Sequence, residues 1–278
     1  ATTPKIAISG VSSIAATNMT STDSDAVWTY AYVAPAGDGT ETIALSVGED
    51  ASGNTVTSAP TSGATFTVDN TAPSLTAVTQ VPTPSNDTTP SFIFSTNEAG
   101  TITSNLAFGG SDQASTGENT VTFNTLGAGT YTDKTVTVTD AAGNAGSITM
   151  ADFVIDTTGP TAEISYSSDA PYKNGETVTI TATFTEALVT TPKIAIAGSG
   201  IANVAATNMT STDSDAVWTY AYAVPTGDGT GTISLSVGED ASGNTVTSAP
   251  TSGATFTVDN TAPTLEAVTQ VPANTNNN

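Results

Sequence analysis

Hydrophobic and polar residues alternate one by one along most of this chain. In residues 177–184, Val178, Ile180, Ala182 and Phe184 fall on one side, and Thr177, Thr179, Thr181 and Thr183 on the other. A period of two over a whole segment marks a strand with one buried and one wet face. Threonine suits the wet face, because its branched Cβ favours an extended backbone and its hydroxyl meets water. The same alternation predicts strands at 193–196, 217–222, 232–237 and 254–258. A second group follows the same rule at 75–78, 91–94, 101–103, 121–123, 135–138 and 152–155. Helical periodicity is nearly absent; the polar connection 208–215 leaves room for one short helical turn. Trp28 and Trp218, each on the apolar side of its run, are expected in the core.

Turn signals separate these runs. Asp50-Ala-Ser-Gly-Asn54, Asp140-Ala-Ala-Gly-Asn144 and Asp240-Ala-Ser-Gly-Asn244 each sit between two alternating runs and read as the tight loop closing a hairpin. A second refrain comes later: Asp69-Asn-Thr-Ala-Pro73, Asp156-Thr-Thr-Gly-Pro160 and Asp259-Asn-Thr-Ala-Pro263. These read as joints between successive units. About seven short strands per unit, with turns at roughly 8–12-residue spacing, predict antiparallel sandwiches of immunoglobulin type.

The chain also repeats itself. Residues 17–32 recur letter for letter as 207–222, and the match runs on past the joints. The expected division is therefore a partial wide unit at 1–69, a narrow unit at 70–156 and a complete wide unit at 157–259. An opening strand with a polar tail follows at 260–278. Residues 1–69 have no counterpart of Ala162-Glu-Ile-Ser-Tyr166 or of 177–184. A truncated array is the simplest reading; strands donated by a neighbouring molecule are the alternative.

Composition narrows the function. The 278 residues include 26 acidic and 4 basic ones, a formal net charge of −22, with no Cys and no His. Nucleic acid and anionic membranes demand a cationic footprint, so neither is an expected partner. No disulfide is available, and no apolar run is long enough to span a bilayer. Without His or Cys, a nucleophile–base pair of the usual kind cannot be built, and no phosphate-binding glycine loop occurs. No enzyme is expected.

Thr-Ala-Thr-Phe-Thr-Glu-Ala, Trp-Thr-Tyr-Ala-Tyr, Gly-Asp-Gly-Thr, Asp-x-x-Gly-Asn and Phe-Thr-Val-Asp-Asn-Thr-Ala-Pro, taken together, resemble the bacterial and archaeal Ig-like tandem repeats of giant adhesins and S-layer proteins. The resemblance covers essentially the whole chain. It implies an all-β chain of tandem Ig-like antiparallel β-sandwiches in an elongated array, secreted to the cell surface, often stiffened by calcium.

In such a sandwich the joint Asp meets two loops of the unit that follows it. For the narrow unit these stations hold Asp69, Glu98, and Asp140 with Asn144. For the complete wide unit they hold Asp156, Glu186, and Asp240 with Asn244. Crowded carboxylates repel unless protonated or bridged by a cation. Calcium (Ca2+) accepts six to eight oxygen ligands in loose geometry and suits such a set better than magnesium or zinc. The alternative is that these Asp and Asn side chains only bond their own backbone turns; that reading leaves Glu98 and Glu186 without a purpose. Glu49 and Glu239 are possible extra ligands. Asp23, Asp25, Asp213 and Asp215 read as solvated turns, and Asp38 and Asp228 as turn residues. The expected function is a calcium-stiffened spacer or fibre of a surface adhesin, with neighbouring copies of the repeat as partners. A subunit of an S-layer-like lattice is the alternative, and a glycan-binding module a weaker one.

Overall fold

The computed structural model describes residues 2–23, 27–212 and 214–267; Asp25, Asp213 and the tail from 268 to 278 lie outside them. The chain is all-β, its sheets are antiparallel, and no helix occurs among the described residues. Its contacts divide it into two units, one of 1–81, 89–125 and 131–152, the other of 82–88, 126–130 and 153–278.

In the first unit, β1 (Lys5–Ser9), β2 (Ser13–Asn18), β3 (Thr20–Asp23), β4 (Val27–Thr29), β5 (Gly39–Ser46) and β6 (Thr65–Val68) precede the first joint. They make a sheet ordered β2-β1-β5-β6 and a separate β3-β4 ribbon. After the joint come β7 (Leu75–Thr79), β8 (Ser91–Thr96), β9 (Gly100–Ser104), β10 (Phe108–Gly109), β11 (Gln113–Ala114) and β12 (Gly117–Phe123). Then follow β14 (Thr135–Thr139) and β15 (Ala145–Thr149); β13 (Gly129–Tyr131), just before them in the chain, falls mostly in the second unit, where it pairs with the strand Phe153–Ile155. Two sheets result, β10-β12-β8-β7 and β11-β9-β14-β15. Phe92, Phe94, Val121 and Phe123 are buried on the first, and Ile102, Val136 and Val138 on the second, with threonines between them turned outward.

The second unit holds β16 (Phe153–Ile155), β17 (Ala162–Tyr166), β18 (Thr177–Phe184), β19 (Lys193–Ser199), β20 (Val204–Asn208), β21 (Thr210–Ser211), β22 (Val217–Ala223), β23 (Gly229–Ser236) and β24 (Thr255–Val258). Sheets β17-β18-β22-β21 and β20-β19-β23-β24 share one apolar core, giving a sandwich-like pair of layers. Ile180, Ala182, Ile194, Ile196 and Leu235 fill its centre. The polar connection at 208–215 forms no helix among its described residues and ends in a single tight turn, Val217 N donating to the Ser214 carbonyl at 2.9 Å. It also supplies β21, because Thr210 and Ser211 find ladder partners in Thr219 and Trp218.

Residues 1–69 provide an internal control. Their sheet has the register of its counterpart: Lys5, Ile6 and Ile8 face Ser46, Leu45 and Ile43, as Lys193, Ile194 and Ile196 face Ser236, Leu235 and Ile233. The covering layer differs. In the second unit β22 pairs with β18 over seven residues; β4 is three residues long and among the described residues pairs only with β3. Trp28 is therefore half-buried, whereas Trp218, in an identical stretch of sequence, is 7 % exposed. The expectation that both tryptophans lie in a core holds for Trp218 and is corrected for Trp28, whose short strand has no partner like β18 among the described residues.

The same comparison exposes a polar exchange. Glu41 is wholly buried on the inner face, in the place that Gly231 takes in the second unit. Gly231 has no room for a side chain, since a Cβ there meets the Phe256 ring at 2.4 Å. Glu41 Oε1 accepts bonds from the Ser12 amide (2.8 Å), the Ser12 hydroxyl (2.7 Å) and the Tyr32 hydroxyl (2.8 Å). Desolvation pushes its pKa up, but the bonds from Ser12, Tyr32 and the Val11 amide outweigh that and hold it below the usual value. A carboxylate with a depressed folded pKa stabilises above its unfolded value of about 4.3 and loses that contribution as pH falls through the folded one. Acid titration in 0.1 M salt, followed by amide hydrogen exchange in residues 1–69, is expected to show loosening below about pH 4.3, and Glu41→Gln to reduce that step.

Tyr222, the counterpart of Tyr32, has no such acceptor: its hydroxyl is buried without a partner among the described residues. A buried hydroxyl left unbonded costs about 1–3 kcal/mol. Tyr222→Phe is accordingly expected to raise stability by about 1 kcal/mol in a urea melt, and Tyr32→Phe to lower it.

Candidate metal centre

Each joint bends sharply after its Asp. Thr71 N donates to Asp69 Oδ1 (3.1 Å) and Thr158 N to Asp156 Oδ1 (3.0 Å), and the Pro two residues further on prevents a helix from starting. One oxygen of each carboxylate is thus used in a turn and the other is not.

The second station is the loop with the Asp-x-x-Gly-Asn sequence. Asp140 Oδ1 accepts from the amides of Ala142 (2.8 Å), Gly143 (2.7 Å) and Asn144 (2.9 Å). Asp240 Oδ1 accepts likewise from Ser242 (2.8 Å) and Asn244 (2.9 Å). Gly143 and Gly243, at φ 96° and 88°, supply the left-handed step that closes each loop. The Asn amide then links loop to joint: Asn144 Nδ2 donates to Asp140 Oδ2 (3.0 Å) and the Asp69 carbonyl (3.1 Å). Asn244 Nδ2 does the same for Asp240 Oδ2 and the Asp156 carbonyl, both at 2.9 Å. Each amide nitrogen is thereby committed, leaving Oδ1 as the atom able to face a cation.

The third station is the turn after β8 or β18. Thr96, buried under it, accepts from the Glu98 amide and donates to the Glu98 carbonyl. Glu98 then stands with Asp69 and Asp140, and Glu186 with Asp156 and Asp240, so that one carboxylate oxygen from each lies within 4.8 Å of the other two. Asp69 is exposed and Asp240 is 2 % exposed; the other four are half-buried. All eight residues expected at the two sites therefore meet in two clusters, three carboxylates and an amide in each. Glu49 and Glu239 belong to neither carboxylate cluster; both form isolated bridges across their loops, to Thr55 and Thr245.

Burial first, then the Asp240 and Asp156 charges, push the Glu186 carboxyl above its ordinary pKa. In the other cluster burial pushes Asp140 up, but the bonds from Asn144, Gly143 and Ala142 prevail and hold it below. One site thus resists full ionisation by its own groups, which is the condition that a bridging cation relieves.

Asp50 separates turn chemistry from the rest. It accepts from Ser52 N, Asn54 N and Asn54 Nδ2 as the other two loops do, yet it is exposed and among the described residues joins no cluster with a joint Asp or turn Glu. The loop folds by its own hydrogen bonds. Only the convergence of the joint and the turn is additional.

Sequence reading missed three contributors. Asp38 and Asp228, taken for simple turn residues, hold the joints that follow them: the Asn70 amide donates to Asp38 Oδ1 (2.6 Å), and the Asn260 amide to Asp228 Oδ1. Asn86 N donates to the Ser242 carbonyl (2.9 Å), bracing the Asp240 loop from outside. The shared change of Asp38 and Asn70 in the narrow copy, to Ala128 and Thr157, was the available signal for the first.

The loops are also strained. Val47 and Val237, just before the acidic loops of the wide copies, sit at φ 72° and 73°, costly for a β-branched residue. Both are about half exposed, so packing does not demand them. Relieving such strain returns about 1–3 kcal/mol, and the added freedom of glycine in the unfolded chain takes back about 0.5–1 kcal/mol. Val237→Gly is thus expected to stabilise the second unit by about 1 kcal/mol, read from the urea midpoint.

No protein-family model matches this chain, and a search of curated proteins returns no match.

Proposed function

We propose that this chain is a segment of an extracellular Ig-like array, a spacer or fibre of a surface adhesin whose joints are stiffened by calcium. The observation that carries the reading is the duplication of the carboxylate cluster. Units of different length bring a joint Asp, a turn Glu and a loop Asp within 4.8 Å twice over. A catalytic site has no reason to recur at two successive joints; a structural ion does. The strand orders β17-β18-β22-β21 and β20-β19-β23-β24 support the Ig-like reading, since that topology places an edge hairpin on each layer of a Greek-key sandwich.

Calcium fits the donor set best. All candidate donors are oxygens, from carboxylates and an amide, and the site is partly open to water. Magnesium holds its own water more tightly and demands a regular octahedron. An ion that joins Asp69 or Asp156 to loops of the following sandwich restrains the joint and stabilises the folded array by mass action. Extracellular modules of this kind bind at about 10⁻⁴–10⁻³ M. Isothermal titration of the whole chain tests the proposal. Two calcium ions should bind, Asp69→Ala should remove one and Asp156→Ala the other, and magnesium should compete poorly. Absence of calcium binding at millimolar concentration would refute it.

A further inference from the structure

We propose that Asp38 and Asp228 are positioning residues, which set the direction of the joint leaving each wide copy whether or not an ion is bound. Asp38 lies between Gly37 and Gly39 in the loop before β5, and Gly37 has φ 112°, which lets the loop fold back over the joint. Its two oxygens take different donors, the Asn70 amide (2.6 Å) on Oδ1 and the Thr71 hydroxyl on Oδ2. The Asn70 side chain returns the grip, donating from Nδ2 to the Gly37 carbonyl (2.6 Å) and the Pro35 carbonyl (3.3 Å). Four hydrogen bonds thus fasten the two residues after Asp69 to the loop before β5. Two of them end on a charged carboxylate, the stronger kind.

The clasp is built twice and omitted once. Asp228 accepts from the Asn260 amide and the Thr261 hydroxyl, and Asn260 Nδ2 donates to the Gly227 carbonyl. Here Asp259 is exposed and, among the described residues, belongs to neither carboxylate cluster. The narrow copy has Gly127-Ala-Gly-Thr130 in the loop and Asp156-Thr157 in the joint. Both partners of the clasp are changed together there, as expected of groups that work as a pair.

The consequence reaches the cluster. Residues 70–71 are pinned from below by Asp38, and the Asp69 carbonyl is held from above by Asn144. Asp69 is then presented to Glu98 and Asp140 in one orientation, and binding need not spend free energy on ordering it. This second step rests on the calcium reading; the clasp does not.

Amide hydrogen exchange of the whole chain in EDTA tests the clasp alone. The Asn70 and Thr71 amides should be protected, and Asp38→Ala should speed exchange at Asn70 by about tenfold, the equivalent of one hydrogen bond to a charged group. Equal exchange in the two proteins would overturn the proposal. Thr71→Val, which removes one bond and keeps the loop, should show a smaller increase at the same amide. Calcium titration of the same proteins then tests the positioning step. Asp38→Ala should weaken the Asp69 site several-fold and leave the Asp156 site, whose joint has no clasp, unchanged. Two ions bound with wild-type affinity in Asp38→Ala would refute positioning, whereas no ion bound to wild type would refute the calcium reading and leave the exchange result standing.

Discussion

Moving the chain from 10 mM calcium into chelator is expected to lower its melting temperature by about 10 °C. At an affinity of about 10⁻⁴–10⁻³ M, that calcium concentration is about 10–100 times Kd, worth about 1.4–2.7 kcal/mol per site. For a sandwich of this size each kcal/mol moves the midpoint by about 4–8 °C. The decisive variant is Glu186→Gln, because its sign should reverse. In chelator the Glu186 carboxylate is disfavoured by burial and by the Asp240 and Asp156 charges, so neutralising it should leave the melting point unchanged or raise it. In calcium the same change removes a ligand and should lower the midpoint. Asp240→Ala should be harmful in both conditions, because Asp240 also accepts the Ser242 and Asn244 amides that shape its loop. Losing hydrogen bonds to a buried carboxylate costs about 1.5–3 kcal/mol before any ion is considered. If Glu186→Gln shifts the melting point equally with and without calcium, turn formation is the whole role of these residues.

Gly146→Val should be the most damaging single substitution at the first joint. A Cβ on Gly146 falls 1.7 Å from the Pro73 carbonyl oxygen and 2.8 Å from its carbon. Both atoms are backbone, so no side chain can move aside. Overpacking of this kind costs about 1–3 kcal/mol or more, and the joint that must shift is the one carrying Asp69. Calcium affinity at the first site should fall along with stability. Gly143→Ala is the control, since nothing lies within 4 Å of its Cβ and only the φ of 96° opposes the substitution. It should cost about 1 kcal/mol and little affinity. The other joint solves the same problem from the opposite side. Gly159, in the joint itself, meets the Thr245 carbonyl at 2.4 Å from its ideal Cβ, so Gly159→Ala should behave as Gly146→Val does, to a lesser degree. Urea melts with a calcium titration read both effects, and a Gly146→Val protein within 0.5 kcal/mol of wild type would contradict the close approach (about the scatter of a neutral surface change).

The all-β character was legible because it is local. Alternation in 177–184 depends only on neighbours two residues apart, and the structure places β18 over those same residues. The stations of the acidic residues were legible for a related reason: three copies of one loop and three of one joint let an offset in sequence stand in for a position in space. What no local pattern contains is the company a residue keeps across a sheet or at a joint. Asp38 reaches Asn70, 32 positions further on, and neither residue differs in type from an ordinary turn former.

The two tryptophans state the boundary most directly. Residues 17–32 and 207–222 are the same sixteen letters, so the sequence determined the same alternation, the same apolar side and the same strand preference for both. Yet Trp218 is buried and Trp28 is half-exposed, and Tyr32 binds a buried glutamate where Tyr222 faces none. Periodicity and turn chemistry act through the covalent chain and travel with the sequence. Burial and hydrogen-bond satisfaction depend on which strand lies opposite, and that only the packing of one layer on another decides.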